Sequence, residues 1–326
     1  MKLSILMSTY NSGPFILDAV NSILNQTFRD FEFIIMDDGS EDETSAIIEN
    51  IQDDRISYEH ICHSGRVVAL NYGLNKCTSE WVALMDSDDL SLPDRLQKQI
   101  SYNNKINADV ISSWYGIFSK NDLKYIIKTP EKDDEIKKSL SLHSVISNPG
   151  VMFRKSVILD SGGYDDPETN FEDYLLWLKI KNKATFYNIP EVLILQRYRS
   201  DSISRKNLPE KHKEIYDIQA PLYNDSIISN ANDSEKLMQG GWREYFYGNP
   251  VKARKIWFGS RWKLLTQPEI LPAILISYFS VEMIIRINEL RLKFRIYYIL
   301  NYFSSKNRYL RKFLQTFIKK ISITKR

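Results

Sequence analysis

The sequence predicts an α/β protein: a mixed, mostly parallel sheet flanked by helices, followed by a helical C-terminal extension. Three observations carry this. Short apolar runs alternate with segments of helical periodicity through the first hundred residues, and such alternation builds parallel sheets with helices on both faces. Polar residues fall at the ends of the predicted strands, where sheets of this kind bind ligands. A length of 326 residues leaves room for one large domain and an appendage.

The elements follow in order. LSILMST (3–9) is an apolar run too short for a helix, so a buried strand. Residues 13–26 carry apolar side chains at helical spacing, and FEFIIMD (31–37) is strand-like. Residues 41–51 open with acids and continue as a helix, as the helix dipole favours. RISYEHI is a short strand, 65–77 a helix, and EWVALMD (80–86) another strand. A further helix starts with Pro93 near its first turn. Beyond it, DVISSWYGIF and KYIIK read as an antiparallel pair, and VMFRKSV as a strand running into a turn. NFEDYLLWLKIKN is a helix beginning with acids; ATFYNIP and EVLILQRYR read as two strands. Residues 205–265 read as helical, with a Gly-Asn-Pro turn before a helix carrying Ala253. The expected division is a domain over 1–205 and a helical region over 206–326.

Charge is uneven. Residues 267–326 hold 12 of the 44 basic and 3 of the 41 acidic residues, a net +9 that leaves the remainder at −6. In this tail ILPAILISYFSVEMII holds Pro272 and Glu282 and falls short of the roughly 20 apolar residues of a spanning helix. The basic, aromatic-rich stretch after it suits a helix lying on an anionic membrane surface; a helical pair packed on the domain is the other reading. The body lacks a basic–aromatic stripe, so no nucleic-acid partner is expected. Cys62 and Cys77 have no paired spacing, which fits a reducing compartment. The opening apolar run is too short for a secretory leader, so a cytoplasmic location is expected, peripheral on the inner face of the membrane.

The chemistry is expected at strand ends. DSDD (86–89) crowds three carboxylates, which repel one another unless a positive charge sits among them. In an extended chain Asp86 and Asp88 face one way and Ser87 the other. Two hard oxygen ligands there suit Mg²⁺ or Mn²⁺, and a turn capping the next helix is the plainer reading. Thr9, Asn11, Asp37 and Asp38 close two further strands, and a carboxylate there can accept hydrogen bonds from a nucleobase or ribose. Glu172 and Asp173 head a helix on which Trp177 shares a face with Asp173. A carboxylate beside an aromatic platform can hold a sugar and take a proton from its hydroxyl; helix-dipole acids with a core tryptophan are the plainer reading. A helix start should keep Asp173 ionised. HICH (60–63) lacks the ligand number and geometry of a zinc site.

Taken in order, SILMSTYNSG…MDDGS, GRVVALNYGLNKCTSEWVALMDSDDLSLPDRL, SNPGVMFRKSVILDSGGYDD, FEDYLLWLKI and QRYRSDSIS resemble the motifs of glycosyltransferase family 2. These are inverting enzymes with the nucleotide-binding GT-A fold, and the resemblance covers about residues 2–205. It implies that Thr9, Asn11, Asp38, Arg66, Asp86 and Ser87 serve the nucleotide-sugar. Asp88 would hold the metal, Asp173 act as general base, and Glu172 support it or bind the acceptor. Trp177 and Arg197 would lie on the acceptor side. One departure is visible: the family often has Arg and then His two positions later, where this chain has Arg197 and Arg199.

The function expected is transfer of a sugar from a nucleotide-diphosphate donor, UDP-linked by first choice, to a glycan or lipid-linked acceptor in cell-surface polysaccharide synthesis. A sugar nucleotidyltransferase would want a Gly-rich, Lys/Arg-bearing loop after the first strand, and STYNSGP supplies neither. A catalytically inactive relative that binds partners at the membrane is the alternative, against which the intact Asp88 and Asp173 stand.

Overall fold

The computed structural model describes residues 2–119, 122–165, 171–199, 208–220 and 234–259. The chain divides into two compact units, 1–117 with 126–222, and 118–125 with 223–326.

The chain begins with β1 (Leu3–Thr9), α1 (Gly13–Leu24), β2 (Phe31–Asp37), α2 (Thr44–Glu49), β3 (Ile56–His60), α3 (Arg66–Lys76) and β4 (Trp81–Asp86). It continues through β5 (Leu90–Ser91), α4 (Arg95–Ile106), β6 (Val110–Ser119), β7 (Asp122–Ile127) and α5 (Asp133–Leu140). A 3₁₀ turn (Asn148–Gly150), β8 (Met152–Arg154), α6 (Lys155–Asp160), α7 (Glu172–Ile180), β9 (Phe186–Arg197) and α8 (Leu208–Ile218) follow. Among the described residues the strands form one sheet, ordered β3-β2-β1-β4-β8-β6-β9-β5, with β7 on β6. The first four run parallel, whereas β8 is antiparallel to both β4 and β6.

This order dictates curvature. Four strand spacings separate β4 from β5, about 19 Å in a flat sheet. The chain passes from Asp86 to Leu90 in four residues, a reach of about 14 Å. The sheet must therefore curl, bringing the β9–β5 edge back toward the end of β4. The Asp-rich turn is the link that crosses this gap.

Alternation along the strands sorts the core into two layers. Leu3, Ile5 and Met7 of β1 pack with Ile16 and Val20 of α1 and Leu96 of α4. Leu6, between them, packs with Leu70 of α3, Ile136 of α5, Ile158 of α6 and Trp177 of α7. Helices thus cover both faces, as the alternation of elements requires. Arg95 is fully buried among them, and its Nη1 donates to the Leu84 and Pro149 carbonyls at 3.0 and 2.9 Å. Burial lowers its pKa to about 9.

Some expectations are corrected. Residues 186–197 form one strand rather than two, because hydrogen bonds hold it on either side of Pro190: Asn188 N donates to Glu131 O, and Leu92 N to Leu193 O, each at 3.0 Å. The turn expected after β8 is the helix α6. The helix expected over 41–51 is shorter because Asp42 is drawn into a turn, accepting from the amides of Gly13 and Thr44 at 3.0 Å. Helix α8 belongs to the first unit: Ile215 and Ile218 pack on its core, and Gln219 donates to Leu142 O at 2.5 Å.

In the second unit α9 (Ser234–Tyr247) and α10 (Pro250–Gly259) flank the Gly248–Asn249 turn. Trp242 packs edge-on to Trp257 at 5.0 Å, and a Cβ on Gly241 would lie 2.1 Å from the Trp257 ring, so only glycine admits this crossing. Among the described residues no helix is long and apolar enough to cross a membrane. The basic tail expected over 269–326 lies outside them.

Candidate active site

Strands β2, β1 and β4 are parallel neighbours, with Thr9 paired to Asp37 and Ser8 to Asp86. Their carboxyl ends are therefore level, and the polar residues just beyond them face a common rim, as expected for an open α/β sheet.

The β2 end is closely tied. Asp37 is fully buried and accepts from Ser40 N (2.8 Å), Ser45 Oγ (2.8 Å) and Tyr58 Oη (2.7 Å). Asp38 accepts from Ser64 N at 2.7 Å and Gly65 N at 3.0 Å, and lies 2.9 Å from His63 Nδ1. Gly39 has φ +76°, and a Cβ there would meet His63 N at 2.8 Å, so the turn needs glycine. Asn11, at φ 47° in the left-handed region that asparagine tolerates, accepts from Glu41 N at 2.8 Å, and its own N–H donates to Ser40 Oγ at 2.9 Å. Thr9 is buried with its hydroxyl unpartnered. Tyr10, 43 % exposed, stacks on His63 with ring centroids 4.4 Å apart.

The β4 end is different. Residues 87–89 form a turn and not the extended chain expected. The turn gathers carboxylate oxygens of Asp86, Asp88 and Asp89 within 4.8 Å of one another. Ser87 is turned away and shares a 2.7 Å hydrogen bond with Ser12 Oγ. Burial and the neighbouring Asp86 raise the pKa of Asp88; burial, Asp88 and Asp86 raise that of Asp89 well above the ordinary value. Three hard oxygen donors with a strained charge balance suit Mg²⁺ or Mn²⁺.

Three arginines answer this charge. Arg66 opens α3 and spans two elements: Nη2 is 2.8 Å from Asp86 Oδ1, and Nε is 2.8 Å from Glu172 Oε1. Burial opposes its charge, but Asp86 and Glu172 outweigh burial and raise its pKa. Arg197, ending β9, donates its N–H to Asp89 Oδ1 and its Nε–H to Asp88 O, both at 2.8 Å. Arg199 Nη1 lies 3.2 Å from Asp88 Oδ2. Both guanidinium carbons stand 4.8 Å from the centroid of the Phe15 ring.

Arg66 thus draws the first turn of α7 onto the end of β4. Asp173, beside Glu172, accepts from Tyr174 N at 2.7 Å. Burial, with Glu172 as second cause, pushes Asp173 up to about 7. The expectation that a helix start keeps it well ionised is overturned: desolvation and a neighbouring acid outweigh the helix dipole.

Two acceptor-side residues sit elsewhere. Trp177 is fully buried, 6.5 Å from the Phe153 ring in the core, and offers no face to a sugar. Four positions after Asp173 it leans back under the turn, where apolar burial wins. Arg197 stands on the Asp88–Asp89 turn instead of beside Asp173. Sequence reasoning left Tyr10, Phe15 and Asp89 without a site role, although TYN and DSDD already named two of them; no local signal marks Phe15, since curling of the sheet brings the end of β9 onto α1.

Known proteins resemble this chain in sequence and in fold. A model described as glycosyl transferase family 2 matches residues 4–161. An O-antigen biosynthesis glycosyltransferase of Escherichia coli, WbnJ, is 31 % identical over 240 residues, covering 70 % of this chain and 91 % of the relative. A UDP-Gal:α-D-GlcNAc-diphosphoundecaprenol β-1,3-galactosyltransferase of Escherichia coli is 34 % identical over 219 residues, covering 63 % of this chain and 77 % of the relative. Among solved structures, S. aureus TarS 1–349 in complex with UDP-GlcNAc superposes with a TM-score of 0.57 at 22 % identity, covering 85 % of this chain and 81 % of that one. The likeness in fold extends to a GT-A architecture, and the sequence relatives carry the assignment further: this chain is a glycosyltransferase and belongs to glycosyltransferase family 2.

Proposed function

We propose that the protein transfers a sugar, with inversion, from a nucleoside-diphosphate donor to a hydroxyl of a lipid-linked glycan in bacterial cell-surface polysaccharide synthesis. UDP is the donor nucleotide of first choice. The observation that carries this is Arg66, which joins Asp86 of the acidic turn to Glu172 of the acidic helix at 2.8 Å each. Donor-side and acceptor-side acids therefore share one crevice. The O-antigen role of WbnJ, and the UDP-sugar and diphosphoundecaprenol-linked acceptor in the galactosyltransferase's name, support the substrate classes.

In this reading residues 1–205 form the catalytic domain, on whose core α8 packs, and the basic tail of the helical region over 206–326 lies on an anionic membrane surface, on the inner face. Thr9, Asn11 and Asp38 shape the nucleotide end, Asn11 and Asp38 by fixing the 38–42 turn and the 63–65 loop. Tyr10 offers an exposed ring beside them. Ser87 braces the acidic turn on Ser12. Asp86, Asp88 and Asp89 would hold Mg²⁺ or Mn²⁺, which when bound supplies positive charge to the departing diphosphate.

The chain's own residues do the rest. Asp173 takes the proton from the acceptor hydroxyl as its oxygen attacks the anomeric carbon opposite the departing diphosphate. One displacement inverts that carbon. A base held at about 7 is ionised in half the molecules at neutrality and strong enough to accept the proton. Glu172, held by Arg66, is the second cause, after burial, that raises this affinity.

Calorimetry with UDP, GDP and CDP, each with and without Mn²⁺, tests the reading on wild type and Asp88→Ala. Metal-dependent binding of one nucleotide, lost in the variant, is expected. No binding to folded wild type would remove the donor site from this crevice.

A further inference from the structure

Resting on that reading of the acidic turn, a second question is how the crevice handles its charge before donor and metal arrive. Two of the three carboxylates already hold a guanidinium: Asp86 has Arg66 at 2.8 Å and Asp88 has Arg199 at 3.2 Å. Asp89 accepts from the backbone amide of Arg197. Arg66 is anchored a second time by Glu172. Arg199 also lies over the face of Phe15, across which Arg197 stacks.

A guanidinium has no lone pair with which to ligate a metal, and it stays charged at every working pH. At this position arginine can only compete with a cation for Asp88. Once displaced, it is a planar donor suited to phosphate oxygens. We propose that Arg199 is a tethered cation that couples metal and nucleotide binding: it holds Asp88 in the free enzyme, and a nucleoside diphosphate draws it away and thereby opens Asp88 to the divalent ion. By linkage the coupling is reciprocal, so the ion releases Arg199 to the diphosphate by the same factor.

The consequence is weak binding of metal alone, weak binding of nucleotide alone, and tight binding of both. Calorimetry on the full chain reads all three, with Mn²⁺ alone, UDP in chelator, and UDP in saturating Mn²⁺. In wild type Mn²⁺ should tighten UDP by about tenfold or more, within the range of allosteric couplings. Arg199→Gln should bind Mn²⁺ alone about five- to tenfold more tightly, bind metal-free UDP more weakly, and reduce the effect of Mn²⁺ on UDP by about the same factor. Arg199→Lys keeps the charge and should keep Mn²⁺ alone weak. Phe15→Leu removes the ring under the guanidinium and should shift Mn²⁺ affinity in the direction of Arg199→Gln by a smaller factor. It serves as the test if the Gln variant does not fold.

Unchanged or weaker Mn²⁺ binding in Arg199→Gln overturns the proposal, as does a Lys variant that binds Mn²⁺ as tightly as the Gln variant. In either case wild-type UDP binding leaves the donor-site reading standing. Wild type that binds no UDP even with Mn²⁺ overturns both.

Discussion

Two acidic corners lie at the ends of parallel strands β2 and β4, with β1 between them, and they are opposites in charge balance. Asp37, closing β2, is completely buried, yet its pKa is lowered: burial opposes its charge, but Ser40, Tyr58 and Ser45 outweigh burial. Asp89, just past β4, is also buried, yet its pKa is raised well above the ordinary value, because burial is compounded by Asp88 and Asp86. Neighbouring acids and the supply of donors separate them. The β2 corner is a finished bracket that holds a turn. The β4 corner carries more negative charge than its amides satisfy, and it is met by the guanidinium groups of Arg66 and Arg199. An acidic corner that the fold itself does not complete is the one suited to a ligand.

The comparison can be broken at several points. The largest expected effect lies across the crevice. Asp173→Asn removes the base and should lower kcat by about 10²–10⁴ with donor binding retained; a loss below tenfold in a product assay would move the base elsewhere. Next, Asp88→Ala should lower kcat/KM by about a hundredfold by weakening metal and donor binding, while urea denaturation shows little loss of stability, since it relieves repulsion. Asp37→Asn should behave in reverse. Its three donors lose a charged acceptor, a cost of about 2 kcal/mol by urea denaturation, with kcat of the folded fraction close to wild type.

Titration sharpens the contrast. With Asp173 at about 7, kcat/KM should rise about tenfold per pH unit below 7 and level above it, since the base must be ionised. The stability signs are opposite. Asp37, lowered from 3.8, contributes stability above pH 3.8 that is lost as pH falls through its folded value. Asp173, raised from 3.8 to about 7, contributes stability that is present below pH 3.8 and lost as pH rises toward 7. A pH series of wild type against Asp173→Asn should show the second slope vanish in the variant; a persisting slope between pH 4 and 7 would place that titration on another group.

Much of this was legible in the residues. The strand–helix alternation, the polar strand ends and the acids at 172–173 are local patterns, and local patterns survive folding because each rests on its own periodicity, cap or turn. The order of motifs sufficed for the family. What the sequence determined is which residues are available: acids at two strand ends and a helix start, with arginines at 66, 197 and 199. What only the tertiary structure decided is who meets whom. Curling of the sheet carries the end of β9 onto the Asp88–Asp89 turn and sets Phe15 under both arginines. Arg66 joins residues 20 and 106 positions away. Packing density turns Trp177 into core and desolvates Asp173 past the pull of its own helix. Pairing, burial and pKa depend on long-range distances through a low-dielectric interior, and no spacing along the chain encodes those distances.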